Sequence, residues 1–277
     1  MSAVVGARQD RPQSIDQPKR SARFPRYRLL VIATRVAIAA AFIGIWALAV
    51  GTNWVSAFFV STPAKTAEFL QNHWHELLTN AWATLEATLI AFALSAAAGI
   101  VSGLVLSENR FLSDVLNPYI TALNSLPRIA LAPLFTLWFG IGVESKVVLA
   151  FSLSFFVVLV NTTAGLKTVD ESLLQLSSSL GCNSVQRFVR IKLPWAVPSI
   201  FAGLRLALIY AFLGVVTSEM LGSRNGLGQL IVYYSGIFRT DGVLAVLAVL
   251  GAAAVLLTFI AQRIESYLLR GWATTTT

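Results

Sequence analysis

The chain is poor in almost everything a soluble enzyme relies on. Of its 277 residues only 12% are charged, one is cysteine and two are histidine, where an ordinary soluble domain carries about 25% charged residues. The single cysteine, Cys182, excludes an internal disulfide and any zinc site assembled from CxxC pairs; in the polar segment that holds it, it reads as a packing residue. His73 and His75 flank Trp74, point to different faces of a helix and have no third ligand beside them, so no metal centre is expected. A nucleotide-binding G-x4-G-K-[ST] sequence is missing as well; the nearest approach, Gly165-Leu166-Lys167, lacks the upstream glycine. No long apolar run contains an Asp or a His, which removes the paired groups an intramembrane hydrolase would need. The chain is therefore expected to have no catalytic residues, no bound metal and no cofactor of its own.

What it has is apolar mass. Hydrophobic residues make up 56% of the chain and the mean hydropathy is +0.71, more than a soluble fold of this size can bury. Runs long enough to cross a bilayer, at about 20 residues each, fall near 29–50, 82–106, 117–140, 147–166, 195–221 and 243–262. The third is interrupted by Pro118, Pro127 and Pro133, and the second holds Glu86 one turn inside. Residues 222–242 read as an aromatic loop whose Tyr233, Tyr234 and Phe238 suit a membrane interface. The fold class is all-α, a polytopic membrane protein with six transmembrane helices.

The net charge of +8 does not point to nucleic acid, because the basic residues are segregated and not interleaved with aromatics. Arg8, Arg11, Lys19, Arg20, Arg23, Arg26 and Arg28 crowd into a proline-containing tail over 1–28, too long and too charged for a secretory signal. Placing this tail in the cytoplasm puts fourteen Lys/Arg inside, including Arg110, Lys167, Arg187, Arg190, Lys192, Arg263 and Arg270. Only Lys65, Lys146, Arg224 and Arg239 are then left outside. That bias predicts both termini in the cytoplasm. The expected organisation is a basic tail (1–28), a first span (29–50), a five-helix core (80–265) and a short tail (266–277).

The longest inside segment, 167–194, divides into two short amphipathic helices. Asp170 can cap the first, with Leu173, Leu176 and Leu180 on one face, and Gly181 can end it in the left-handed conformation. Asn183 with Gln186 forms a capping-box pattern for a second helix that carries Val185, Phe188 and Val189 and reaches Leu193-Pro194, with Pro198 opening the next span. By shape alone this is either a plain connector or a docking lever.

The spacing of Gly181, nine residues, then Ile191-Lys192-Leu193-Pro194 resembles the EAA loop of ABC-importer permeases, E-A-A-x3-G-x9-I-x-L-P. The run Trp195 to Arg205 and the stretches Ser125-Leu126-Pro127-Arg128, Trp138-Phe139-Gly140-Ile141-Gly142, Glu219-Met220-Leu221-Gly222 and Gly226-Leu227-Gly228 resemble the nitrate/sulfonate/taurine branch of that family. The positions aligned with E-A-A are Gln175-Leu176-Ser177, so the acid is missing, and Glu171 stands one helical turn earlier on the same face. The resemblance implies the type I importer permease fold, with this loop docking on a separate cytoplasmic ATPase that binds the ATP and magnesium. Glu171, Gln175, Leu176, Ser177, Gly181, Phe188, Ile191, Leu193 and Pro194 are the expected coupling residues, with Phe188 in the ATPase groove. It further implies a homodimer in the bacterial inner membrane with two ATPases and an extracytoplasmic solute-binding protein, importing a small anion, an aliphatic sulfonate or taurine ahead of nitrate.

Charged and polar residues inside spans mark candidate pathway positions: Asn124, Ser125, Pro127, Arg128, Asn161, Arg205 and Glu219. Each has a bland counterpart. Arg205 can snorkel or bind backbone carbonyls, Glu219 can be a structural partner at the outer gate, and the asparagines can bridge helices. Gly99 and Gly103, four apart, fit close helix packing. The rival functions are an ion-coupled secondary transporter, which would need a deep acid where only Glu86 and Glu219 are available, and an ABC importer of another solute.

Overall fold

The computed structural model describes residues 25–269. Most of the basic tail and residues 270–277 lie outside them, as do the expectations for those segments. Among the described residues there are α-helices and helical turns and no strand. The chain divides after Leu48 into two compact units. The first holds most of α1 (Pro25–Gly51), a 27-residue apolar helix exposed along nearly all of its length. Everything that follows lies in the second.

Its centre is three long helices: α3 (Trp74–Glu108), α6 (Val143–Lys167) and α9 (Leu193–Leu221). Lipid tails are as apolar as leucine, so spans associate by close packing and hydrogen bonds and not by hydrophobic exclusion of water. The contact faces are built accordingly from Ala, Gly, Ser and Thr. A Cβ placed on Gly99 would lie 2.6 Å from the Val158 Cβ, and one on Gly203 would lie 2.5 Å from the Asn161 Cβ. Ser95 and Ser154 share a hydrogen bond of 2.6 Å between α3 and α6.

α3 extends beyond the expected 82–106, starting at Trp74, and it is preceded by α2 (Pro63–Asn72), which the apolar pattern does not announce. Thr62 caps α2, accepting from the Lys65 N–H, and Pro63 occupies its first turn. The third apolar run is a broken helix: α4 (Arg110–Ser125) and α5 (Ala132–Phe139) are joined by a 3₁₀ turn at Arg128–Leu131 and bent by 76°. Only Pro127 sits at the break, where it holds Leu126 extended (φ −67°, ψ 138°). Pro118 is accommodated inside α4 and Pro133 in the first turn of α5.

Residues 222–242 are not a loop. They contain α10 (Leu227–Gly236), seated on the end of the bundle with Leu227, Leu230 and Tyr234 buried against α11 (Thr240–Leu268), α3 and α2. Tyr234 is thus a core residue, and burial followed by its 2.9 Å hydrogen bond to Glu76 pushes its hydroxyl pKa up. Only Tyr233 and Phe238 of the three expected interfacial aromatics are exposed. Among the described residues five helices are long and apolar enough to cross a membrane, six with the bent pair taken as one span.

Candidate functional site

The segment after α6 folds as two capped helices. In α7 (Glu171–Ser179) the Asp170 carboxylate accepts from the Ser172 N–H at 2.8 Å and from its hydroxyl, which holds the Asp170 pKa below the ordinary carboxylate value. Gly181 (φ +81°) ends the helix: its N–H donates to Ser178 O and the Cys182 N–H to Ser177 O, a Schellman pattern. α8 (Ser184–Arg187) opens on the Asn183/Gln186 capping box and runs through a π turn at Phe188–Lys192 directly into α9. Pro198 consequently lies inside α9 and does not open it; Pro194, in the first turn, takes the position where no N–H is needed.

Two braces fix this segment. Arg187 donates to the Ser178 hydroxyl at 2.7 Å, tying α8 to α7, and Lys192 pairs with Glu108 at the end of α3, also at 2.7 Å. Phe188 does not face outward: it packs on Leu166, Ala196 and Ile200 together with Leu193. Phe188 is the first residue of the π turn and is half-buried there. The apolar groups left open are Leu173, Leu176, Leu180 (75% exposed), Val185 (69%) and Val189. Glu171 and Gln175 are exposed on α7, Ser177 is buried, and Ile191 and Pro194 are half-buried.

At the bend between α4 and α5, Arg128 is held from three sides. Its guanidinium donates to Ser152 O at 2.6 Å and to Asn124 Oδ1 at 2.6 Å, and it lies 4.7 Å over the Phe156 ring. Asn124 and Ser125 line a cavity of about 220 Å³ between α4, α6 and α3, and Pro127 is exposed at the turn. The other candidate pathway residues are not among its lining. Asn161 is pressed against Gly203 in the α6–α9 contact and donates to Val157 O. Arg205 forms an ion pair with Glu265 of α11, a carboxylate partner in place of the expected carbonyls.

Glu219 belongs to a buried polar cluster at the end of the bundle opposite α7 and α8. Its carboxylate lies 3.0 Å from the Lys146 ammonium and from the Thr84 hydroxyl, and accepts the Gly228 N–H at 2.9 Å. Both charged side chains are about 1% exposed. Lys146 also donates to Asn225 O and Oδ1, while Asn80 Oδ1 accepts the Gly226 N–H at 2.7 Å and Thr84 the Leu227 N–H at 3.0 Å. The N–H groups that open α10 are thus met by Asn80, Thr84 and the Glu219 carboxylate, which stands where a negative charge is stabilised. By its sequence Lys146 reads as an outside loop residue, and Asn80, Thr84 and Asn225 carry no signal; a lysine at the edge of an apolar run is the one clue that points here.

A family model described as "Binding-protein-dependent transport system inner membrane component" matches residues 95–273. The riboflavin transport system permease protein of Chloroflexus aurantiacus is 33% identical over 227 residues, 81% of this chain and 85% of that one. A putative aliphatic sulfonates transport permease protein of Bacillus subtilis is 30% identical over 235 residues, 83% and 84% of the two chains. A methionine ABC transporter solved in inward-facing conformations superposes with a TM-score of 0.63 over 72% of this chain and 99% of that one, at 21% identity. The family match and the two relatives, each covering more than four-fifths of the chain, agree with the all-helical fold, and the chain belongs to the binding-protein-dependent inner-membrane components, as the permease subunit of an ABC importer.

Proposed function

We propose that two copies of this chain form the pathway of an importer whose two cytoplasmic ATPases dock on the α7–α8 segment. A solute-binding protein on the opposite side delivers a small anion, an aliphatic sulfonate or taurine ahead of nitrate. The observation that carries the docking role is the braced, doubly capped segment whose Leu176, Leu180, Val185 and Val189 stay open to a partner. A helix face of this kind suits a partner groove. Because α8, the π turn and α9 form one helix of 38 residues, about 57 Å long, displacement at the dock is carried along a rigid span. Exposed Glu171 or Gln175 supplies the polar contact of the missing family acid.

The aliphatic-sulfonate relative supports the anion assignment, as does the concentration of cationic and neutral donor groups along α4 and α6. The test is reconstitution of the permease with its ATPase and its purified binding protein in liposomes. ATP-dependent uptake of labelled taurine or ethanesulfonate is expected, and ATPase retention should be lost in Leu180→Asp and Val185→Asp. Uptake of riboflavin in place of sulfonates would replace the substrate, and retention of the ATPase by both variants would remove the dock from α7–α8.

A further inference from the structure

α4 is a helix without one buried residue and with a clear polar face: Asn117, Thr121, Asn124 and Ser125 lie on one side at spacings of three, four, seven and eight. These residues share a cavity with Thr163 and Lys167 of α6. Among the described residues, the side chains of Asn117, Thr121 and Lys167 have no hydrogen-bond partner, and neither a carboxylate nor an aromatic ring is in the lining. Asp114, just beside this face, is exposed and sits 3.9 Å from Arg110. Uncommitted polar groups on a helix in a bilayer are costly unless they meet water or a ligand.

The orientation of the donors is fixed by Arg128. A guanidinium can only donate, so the Asn124 carbonyl oxygen must face it, and the Asn124 amide N–H groups remain free as donors. Cations stand at both ends of the face, Arg128 at the bend and Lys167 in the last turn of α6. From Asn117 to Ser125 the face rises about 12 Å, at 1.5 Å per residue. Hydroxyls, amides and two cations without an acid in the cavity lining stabilise negative charge and give a cation nothing to bind.

We infer that this face, from Lys167 to Arg128, is a binding track for a small oxyanion of the sulfonate or carboxylate class. It is the stretch through which the solute moves between the membrane midplane and the α7–α8 end. The inference rests on the small-anion importer reading above and adds the site that would carry it.

The test does not depend on which solute is carried. In a Cys182→Ser permease reconstituted with its ATPase in lipid nanodiscs, Thr121→Cys is reacted with two methanethiosulfonates, the anionic sulfonatoethyl and the cationic trimethylammonioethyl reagent. The ratio of their rates is normalised to that for 2-mercaptoethanol in solution. A positive track should favour the anionic reagent by about fivefold or more, as local potentials of this kind concentrate counter-ions, and Lys167→Gln should lower that preference by half or more. A ratio equal to that of the free thiol, a preference for the cation, a preference untouched by Lys167→Gln, or no reaction with either reagent would each overturn the track. ATPase stimulation by taurine-loaded binding protein is measured on the same preparation. Stimulation with a flat ratio sinks the track and leaves the sulfonate importer standing; an anionic preference without stimulation does the reverse.

Discussion

Glu219 and Lys146 are a carboxylate and an ammonium removed from solvent, and such a pair contributes through its geometry and its surrounding hydrogen bonds more than through attraction alone. Removing one partner leaves the other buried and uncompensated. Glu219→Ala should therefore cost about 3–5 kcal/mol of stability, read as a lowered melting temperature of the detergent-purified protein. The double variant Glu219→Leu, Lys146→Met should lose much less; equal losses would mean that the pair is not coupled. Gly226 is a second residue fixed by this cluster. Its φ of +114° is costly for other residues, and a Cβ there would run into the Glu219 carboxylate. Gly251 in α11 stands in open space, with nothing within 4 Å of where a Cβ would project, so Gly251→Ala should be neutral or stabilising by about 0.5–1 kcal/mol. Gly226→Ala should destabilise by at least about 1–2 kcal/mol. Parallel melting curves of the two alanine variants check the contrast.

The helices differ in how plainly their sequences announce them. Caps are local chemistry, so Asp170, Gly181 and the Asn183/Gln186 box are legible in the sequence and hold in the structure. They also respond differently to pH. The Asp170 pKa is depressed by the Ser172 hydroxyl and N–H, so its cap is fully present above the ordinary carboxylate range and is lost as pH falls through the depressed value. Hydrogen exchange of the first turn of α7, corrected for intrinsic rates, should rise on acidification below about pH 4, whereas α8, capped by neutral amides, should not follow. Asp170→Asn should keep α7 protected and Asp170→Ala should fray it at all pH values. Equal responses of the two helices would show that the Asp170 contact does not control α7. Long-range features are not legible. That Phe188 packs on the bundle depends on a cluster that includes Leu166 of α6, distant in sequence, and the N–H groups that open α10 are met by Asn80, Thr84 and Glu219 of other helices. The candidate pathway residues mix two kinds of polar group for the same reason. Asn161, Arg205 and Glu219 meet other helices, which a single sequence does not reveal, while Asn124 and Ser125 border the cavity.

At the scale of the molecule the charges sort by the two ends of the bundle. Arg187, Arg190 and Lys192 lie in the segment between α7 and α9, and Arg110 and Lys167 close the ends of α4 and α6 beside it. At the other end Lys146 is withdrawn into the Glu219 cluster, and Arg239 bonds Asp241 at 2.8 Å. Ion pairs are found at both ends, Lys192 with Glu108 at the first, and the bias stays the sequence count of fourteen Lys/Arg to four. Because basic segments flanking spans are retained in the cytoplasm, the α7–α8 end should face inward and α2 and α10 outward. The same orientation is required if the docking face is to meet an ATPase supplied with cytoplasmic ATP. In a Cys182→Ser background, Lys65→Cys is expected to react with a membrane-impermeant maleimide added to intact cells, and Arg187→Cys only after the membrane is opened. Each is quantified against labelling of denatured protein. Reaction of the 187 position in intact cells would place the proposed docking face on the side away from the ATPase and would overturn that proposal, whatever the stability of the bundle.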